Sequence, residues 1–404
     1  MIKKTGTSLA ILVSVLSIGI GSAWGLSAIE SLGQKIFMDE DLSINRNQSC
    51  MTCHHPAVAF VDPVNTRNPY CSVVSEGSIA GLFGGRNAPT ATYAGFSPVF
   101  GWDKNIGGYV GGLFWDGRAT GESLKDPLAE QAQGPFLNPV EMALGIPDPD
   151  NPDKMVPDLV IERISESTYA CQFEKVFPGT NFEKALEKAE DGNRKLLYKI
   201  YDNVARAIAA FEKSEKLNRF CSVFDEFWEE CKNSNIDISL IGIATDLQDV
   251  PRGILSQEQL EGLALFNGKG QCALCHVLTD YEEGVIPPLF TDFTYDNLGI
   301  PANPLLEGNP TDYGLGGILG ETDQNGKFKV STLRNIARTP PYGHNGFFAT
   351  LEEIVHFYNT RDVPDEGWPP PEVPENVNTT ELGNLGLTLD EEAAIVAFMK
   401  CLSD

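Results

Sequence analysis

Histidine is scarce in this chain: 404 residues carry five, His54, His55, His276, His344 and His356. Positive charge is scarce too, with 30 lysines and arginines against 56 acidic residues and a net charge of −26. That balance excludes nucleic acid as a partner, because a phosphate backbone demands a basic surface. It suits a basic partner, bound cations or plain solubility. Beyond the N-terminus no apolar run approaches the ~20 residues of a membrane-spanning helix, so the mature chain is expected to have no membrane span. Strand signals are few, and the expected fold is mostly α.

The N-terminus accounts for the one apolar run. Lys3 and Lys4 precede an apolar or small stretch over residues 8–21, with small residues for cleavage after Ala23 or Gly25. This is the pattern of a signal peptide over residues 1–25 and predicts a periplasmic protein; an uncleaved anchor is the alternative. The remaining ~380 residues are too many for one compact core and suit two domains.

Four of the nine cysteines stand in two pentapeptides, Cys50-Met51-Thr52-Cys53-His54 and Cys272-Ala273-Leu274-Cys275-His276. In an exported chain Cys-x-x-Cys-His is the attachment motif of c-type haem. Both thiols form thioethers to the porphyrin, and the adjacent histidine becomes the proximal iron ligand. A structural zinc site would need four clustered Cys/His ligands, and neither motif has a second pair nearby. Two covalently bound haem c groups are therefore expected. Cys71, Cys171, Cys221, Cys231 and Cys401 remain, an odd number, and Cys221 and Cys231 are near enough in sequence to pair in an oxidising compartment.

One plan occurs twice. A helical pattern over Ser27–Phe37 leads into the first motif, and one over Ser256–Asn267, opened by a Ser256/Gln259 capping box, leads into the second. Each half closes on an apolar-periodic helix, Asn203–Phe211 in the first and Thr388 onward in the second. This predicts two cytochrome c-like haem domains, residues 26–245 and 246–404, with the boundary in the polar stretch 232–254. Gly- and Pro-rich segments at 77–112, 133–157 and 301–326 read as long loops, which in compact domains are usually functional.

Further segments carry a resemblance. They are Arg86-Asn87-Ala88-Pro89-Thr90, Phe114-Trp115-Asp116-Gly117-Arg118, Glu130-Gln131-Ala132, Asn138-Pro139-Val140-Glu141-Met142, and Thr332-Leu333-Arg334-Asn335 through Pro341-Tyr342-Gly343-His344-Asn345-Gly346. In that order they resemble the bacterial di-haem cytochrome c peroxidase family from about residue 30 to the C-terminus. The resemblance implies an enzyme, a peroxidase acting on hydrogen peroxide, with a peroxidatic N-terminal haem and an electron-transfer C-terminal haem. It implies Glu141 and Gln131 as distal catalytic groups and Trp115 as the indole between the haems. It also implies an inter-haem calcium site at Asn87, Thr339 and Pro341. Asp116, Arg118, Arg334 and Arg338 are candidates to pair with one another or with haem propionates.

Ligand identity separates the branches of that family. Its standard peroxidases place a distal histidine shortly before the Asn-Ala-Pro-Thr segment, where this chain reads Ser75 to Arg86 without a strong ligand. Met142 and Met155 are weak alternatives that suit packing better. The N-terminal iron is thus expected to keep an open position. At the second haem, those peroxidases carry a methionine fourteen residues after the histidine of Pro-Tyr-x-His. Here that position, fourteen after His344, is Tyr358, the residue type of the MauG-like branch. Leu351, Ile354, Val355 and Tyr358 share one helix face behind a Thr350/Glu353 capping box, and His356 projects away from it. The resemblance therefore implies MauG-like oxidation of a protein partner or donor, with His54, His276 and Tyr358 on iron. The tryptophan that one member of that branch carries two residues before its second haem motif is Gly270 here. The alternatives are a scavenging peroxidase fed by a small electron-donor protein and a non-catalytic di-haem carrier.

Overall fold

The computed structural model describes residues 25–148, 151–281 and 284–404, so the expected signal peptide lies outside the described residues except for Gly25. Helix α1 (Ala28–Phe37) opens on a capping box in which Ser27 and Glu30 satisfy each other's backbone N–H groups. Helix α2 (Pro127–Leu137) is capped by Asp126, with proline at the first turn where no donor is needed. Then come α3 (Lys195–Glu212), α4 (Val223–Asn233), α5 (Gln257–Asn267), α6 (Leu351–Thr360) and α7 (Leu389–Lys400). The boxes at Ser256, Thr350 and Thr388 all form. Helix α3 begins well before the Asn203 expected for it, because its buried stripe already includes Leu197 and Ile200.

Among the described residues the sheet content is three two-stranded antiparallel ladders, and the fold is mostly helical. The expected loop 133–157 is more ordered than its composition suggested. It contains the end of α2 and a ladder pairing Ile146–Asp148 with Asn151–Val156, closed by Ile146 opposite Val156.

Two large hydrophobic cores carry the molecule, with a smaller cluster around Leu113, Leu128 and Ala209. The first gathers Leu32, Ile36, Phe37, Phe136, Val204, Ile208 and Phe211; the second gathers Phe224, Phe227, Leu260, Phe266, Phe290, Ile395 and Phe398. The packing changes over between Leu217 and Phe224, upstream of the expected boundary, because Phe224, Phe227 and Cys231 turn one stripe of α4 into the second core. No disulfide is present and all nine thiols are free. The pairing considered for Cys221 and Cys231 does not form: Cys231 points into that core, whereas Cys221 precedes α4 and is exposed.

Each core is organised by one close helix crossing. Gly33 of α1 lies against the Ala207 carbonyl of α3, where a Cβ would sit 1.8 Å from that oxygen. Gly262 of α5 meets the Ala394 carbonyl of α7 in the same way, at 1.9 Å. One turn further on, Phe37 meets Phe211 edge-on with centroids 5.3 Å apart, and Phe266 meets Phe398 at the same 5.3 Å. Among the described residues no helix is long and apolar enough to cross a membrane.

Candidate functional site

Both Cys-x-x-Cys-His motifs come after the first helix of their crossing, the second within five residues of α5 and the first after a longer connection from α1, and both line one internal cavity. Cys50–Cys53 is a single helical turn, and the His54 N–H donates to the Cys50 carbonyl at 2.9 Å. Cys272–Leu274 forms a tighter turn with the same closure, the His276 N–H to the Cys272 carbonyl at 2.9 Å. His54 Nδ1 lies 3.1 Å from the Phe60 carbonyl, and His276 Nδ1 lies 2.8 Å from that of Phe290. Both phenylalanines are left-handed, φ +57° and +54°, which turns their carbonyls toward the imidazoles. Against a carbonyl, Nδ1 is the protonated nitrogen, and Nε2 keeps its lone pair. Burial holds both imidazoles below their ordinary pKa, with the carbonyls acting the other way. Two thiols and a neutral imidazole on each stretch of cavity wall fit a covalently held haem at both motifs.

Near the first motif, α2 carries Gln131 and the chain after it carries Asn138 and Glu141, all three on the cavity wall. Asn138 Nδ2 donates to Glu141 Oε1 at 2.6 Å. Burial pushes the Glu141 carboxyl up from its ordinary value, outweighing Asn138 and the nearby Arg118. Gly77 closes this corner, since a Cβ there would lie 2.3 Å from the Val140 carbonyl. The segment expected to lack a ligand does face the cavity, through Ser75, Glu76, Gly84, Gly85 and Arg86. Of the histidines, His54, His276 and His344 line the cavity and His55 does not.

Trp115 lies on the same wall where the two halves meet. Its indole N–H donates to the Asn87 carbonyl at 2.9 Å, and its own carbonyl accepts from the Lys329 N–H at 2.9 Å. Buried Asp116 binds Arg86 at 2.5 Å and Arg118 at 2.7 Å, and Arg86 continues to Asp312 at 2.6 Å. Of the other candidate partners, Arg334 is fully buried against Asp225 at 2.6 Å, and Arg338 reaches the Asp404 carbonyl. Asn87, Thr339 and Pro341 share the cavity wall. The Asn87 amide nitrogen donates to Val73, and its backbone N–H donates to His344.

Helix α6 presents Leu351, Ile354, Val355 and Tyr358 to the cavity, the face its spacing specified. The Tyr358 hydroxyl has no hydrogen-bond partner among the described residues. Burial raises its pKa above the ordinary phenol value, and the Cys272 and Cys275 thiols and Asp296 add to the rise. Such a phenol loses its proton to water only when a cation placed against it stabilises the phenolate, as a ferric iron would. His356 is turned away, held at 3.0 Å by Glu392 and 3.3 Å by Glu366. His344 is buried with its ring stacked 3.5 Å from Phe328; Glu372 is 3.9 Å away, too far for a hydrogen bond. Met142 and Met399 line the cavity as members of the two cores, while Met155 does not reach it.

Sequence reasoning passed over Glu212, a buried carboxyl on the cavity wall that burial pushes up to about 8. Its signal was available: it follows Ile208 by four residues on the apolar face of α3. The Phe60 and Phe290 carbonyls gave none, because any residue supplies a carbonyl.

Comparison with known proteins agrees with this geometry. Residues 27–233 match the family model of the di-haem cytochrome c peroxidases. The methylamine utilization protein MauG of Paracoccus denitrificans is 35% identical over 401 residues, covering 93% of this chain and 89% of that one. The cytochrome c551 peroxidase of Nitrosomonas europaea is 29% identical, covering all of this chain and 92% of its own. The diheme peroxidase BthA of Burkholderia thailandensis superposes with a TM-score of 0.72 at 27% identity, covering 93% of this chain and 86% of that one. With two haem-attachment motifs on one cavity and relatives matched along nearly its whole length, this chain belongs to the di-haem cytochrome c peroxidase family and is a peroxidase.

Proposed function

We infer that this is a periplasmic, exported peroxidase of the MauG-like type, in which each core holds one haem c. The haem supplies redox equivalents and an iron site for hydrogen peroxide; the protein supplies position, protons and a path for electrons. His54 and His276 would hold the two irons through Nε2, their rings oriented by the Phe60 and Phe290 carbonyls, and Cys50, Cys53, Cys272 and Cys275 would fix the two porphyrins through thioethers.

Glu141 and Gln131 work on the peroxide. Cleaving the O–O bond unequally requires a proton to move from one oxygen to the other. Glu141 is suited to that transfer because burial raises its affinity for the proton, and Asn138 at 2.6 Å holds its carboxyl in one orientation. Gln131 offers an uncharged donor on the same wall. Trp115, tied to Asn87 from one half and to Lys329 from the other, carries electrons between the two haem sites. Asn87, Thr339 and Pro341 would hold a calcium ion there through one amide oxygen and two carbonyls, a hard-oxygen set.

The observation that carries the choice of branch is Tyr358, partly buried on the cavity wall, with the Cys272 and Cys275 thiols of the second motif and Asp296 near enough to raise its pKa. A phenolate ligand is an anionic oxygen donor that stabilises ferric and higher states, which favours oxidising a protein partner or donor over simple electron storage. Cyanide titration of the fully ferric protein tests the reading. One haem per chain should bind cyanide with no reductant added. Binding at neither haem would point to the carrier alternative.

A further inference from the structure

We propose that this chain has a surface outlet for oxidising equivalents at Trp102, reached from the Trp115 loop through Tyr295, Phe100 and Tyr109. The proposal rests on the peroxidase reading and adds the place where an outside reductant is oxidised.

The rings form a continuous series. The Tyr295 hydroxyl packs against Gly117, two residues beyond Trp115, where a Cβ would sit 2.4 Å from its oxygen. Lys329, whose N–H is held by the Trp115 carbonyl, places its Nζ 5.4 Å from the Tyr295 ring centre. Phe100 meets Tyr295 edge-on at 5.9 Å, Tyr109 stacks on Phe100 at 5.2 Å, and Trp102 meets Tyr109 edge-on at 5.1 Å. Trp102 and Tyr109 face each other across the ladder Gly101–Asp103/Gly108–Val110. That ladder ends in water: Trp102 is 53% exposed, beside exposed Ile106.

The hydroxyl partners give the series a direction. A phenol that loses an electron must also lose its proton, so a base beside it decides whether it can be oxidised readily. Tyr295 donates to the Gly111 carbonyl at 2.6 Å, which cannot take the proton. Tyr109 donates to both carboxylate oxygens of Glu321 at 3.1 Å, which can. The outer tyrosine is therefore the one built to be oxidised. A purely structural aromatic cluster would have no need of a carboxylate paired with its outermost phenol.

The balance is two one-electron passages per peroxide. Hydrogen peroxide takes two electrons and two protons and leaves as two waters. In each passage Tyr109 sends one electron inward toward Trp115 and its proton to Glu321. Trp102 then gives one electron to Tyr109, which recovers the proton from Glu321. Trp102 is restored by one electron from a donor in solution, of the class of aromatic amines and phenols that react on contact with an exposed indole.

The test exposes the ferric, haem-loaded protein to stoichiometric peroxide without a donor and maps oxidised or spin-trapped residues by peptide mass spectrometry. Haem bands are recorded in the same sample. Modification should concentrate on Trp102, move to Tyr109 in Trp102→Phe, and be lost from Trp102 in Tyr109→Phe. In Glu321→Gln, modification of Trp102 should fall while the haem bands still respond. Responding haem bands with an unmodified Trp102, or equal modification of Trp102 in Tyr109→Phe, would overturn the outlet. Haem bands that ignore peroxide would overturn the peroxidase reading itself, and the outlet with it.

Discussion

Gly33 and Ala207 touch backbone to backbone, and the crossing they make belongs to the core against which Cys50 of the first haem motif packs. A side chain at Gly33 has no room, since its Cβ would fall 1.8 Å from the Ala207 carbonyl oxygen. Gly262 and Ala394 repeat the contact before the second motif. Gly33→Ala should therefore separate α1 from α3 and destabilise the protein by about 3 kcal/mol, the upper end for overpacking. Thermal unfolding followed at the haem bands should show the first haem losing its native signal before the second. Gly262→Ala should reverse that order.

How much of this was legible beforehand can be argued from the same helices. Ser256, Thr350 and Thr388 announced their helices because a hydroxyl followed three residues later by Gln or Glu satisfies orphan N–H groups wherever it occurs. The haem motifs were legible because covalent chemistry needs those atoms at that spacing. The face of α6 that carries Tyr358 was legible because helical periodicity is local. Gly33 was not, because a glycine within a helix shows its purpose only when the partner helix is known, and Ala207 is far away in sequence. The upstream packing boundary was missed for a related reason: the stripe Phe224, Phe227, Cys231 says that α4 is buried but not in which core. The ladder between Ile146 and Val156 was hidden by its Pro- and Asp-rich surroundings.

Tyr358→Phe removes one oxygen from the cavity wall and leaves the packing face of α6 intact. The low-spin ferric signal of the second haem should change, while the signal of the first should not. The measurement is electron paramagnetic resonance of the ferric protein. An unchanged spectrum would remove Tyr358 from the ligand set.

His356 predicts a pH dependence of stability. Burial works against its charged form, but Glu392 and Glu366 outweigh burial and raise its pKa above the ordinary imidazole value. A raised folded pKa means the ion pairs contribute fully below the unfolded value, about 6.5. The contribution is then lost as pH rises through the higher folded value. The site is partly exposed, so the effect should be about 1 kcal/mol or less. The melting-temperature gap between the protein and its His356→Gln variant should be widest below the ordinary imidazole value of about 6.5 and shrink as pH rises above it. A gap that grows with pH would contradict the assignment.

Glu141→Gln keeps the size and the contact with Asn138 but removes the transferable proton. The reaction with peroxide should slow by about 10²–10⁴, the usual contribution of a general acid-base group. Stopped-flow absorbance of the ferric variant measures it. Gln131→Ala should slow the same step less, because it removes a donor without removing the proton carrier.

The central claim is that no side chain of this protein blocks the peroxide position at the His54 haem. Its most direct test is to mix the fully ferric protein, never exposed to reductant, with one equivalent of hydrogen peroxide and follow both haems by stopped-flow absorbance. The account predicts an immediate change at the first haem that needs no prior reduction, followed by sharing with the second that is impaired in Trp115→Phe. Ferric bands that stay unchanged until an electron is supplied would contradict it and place a sixth ligand on that iron.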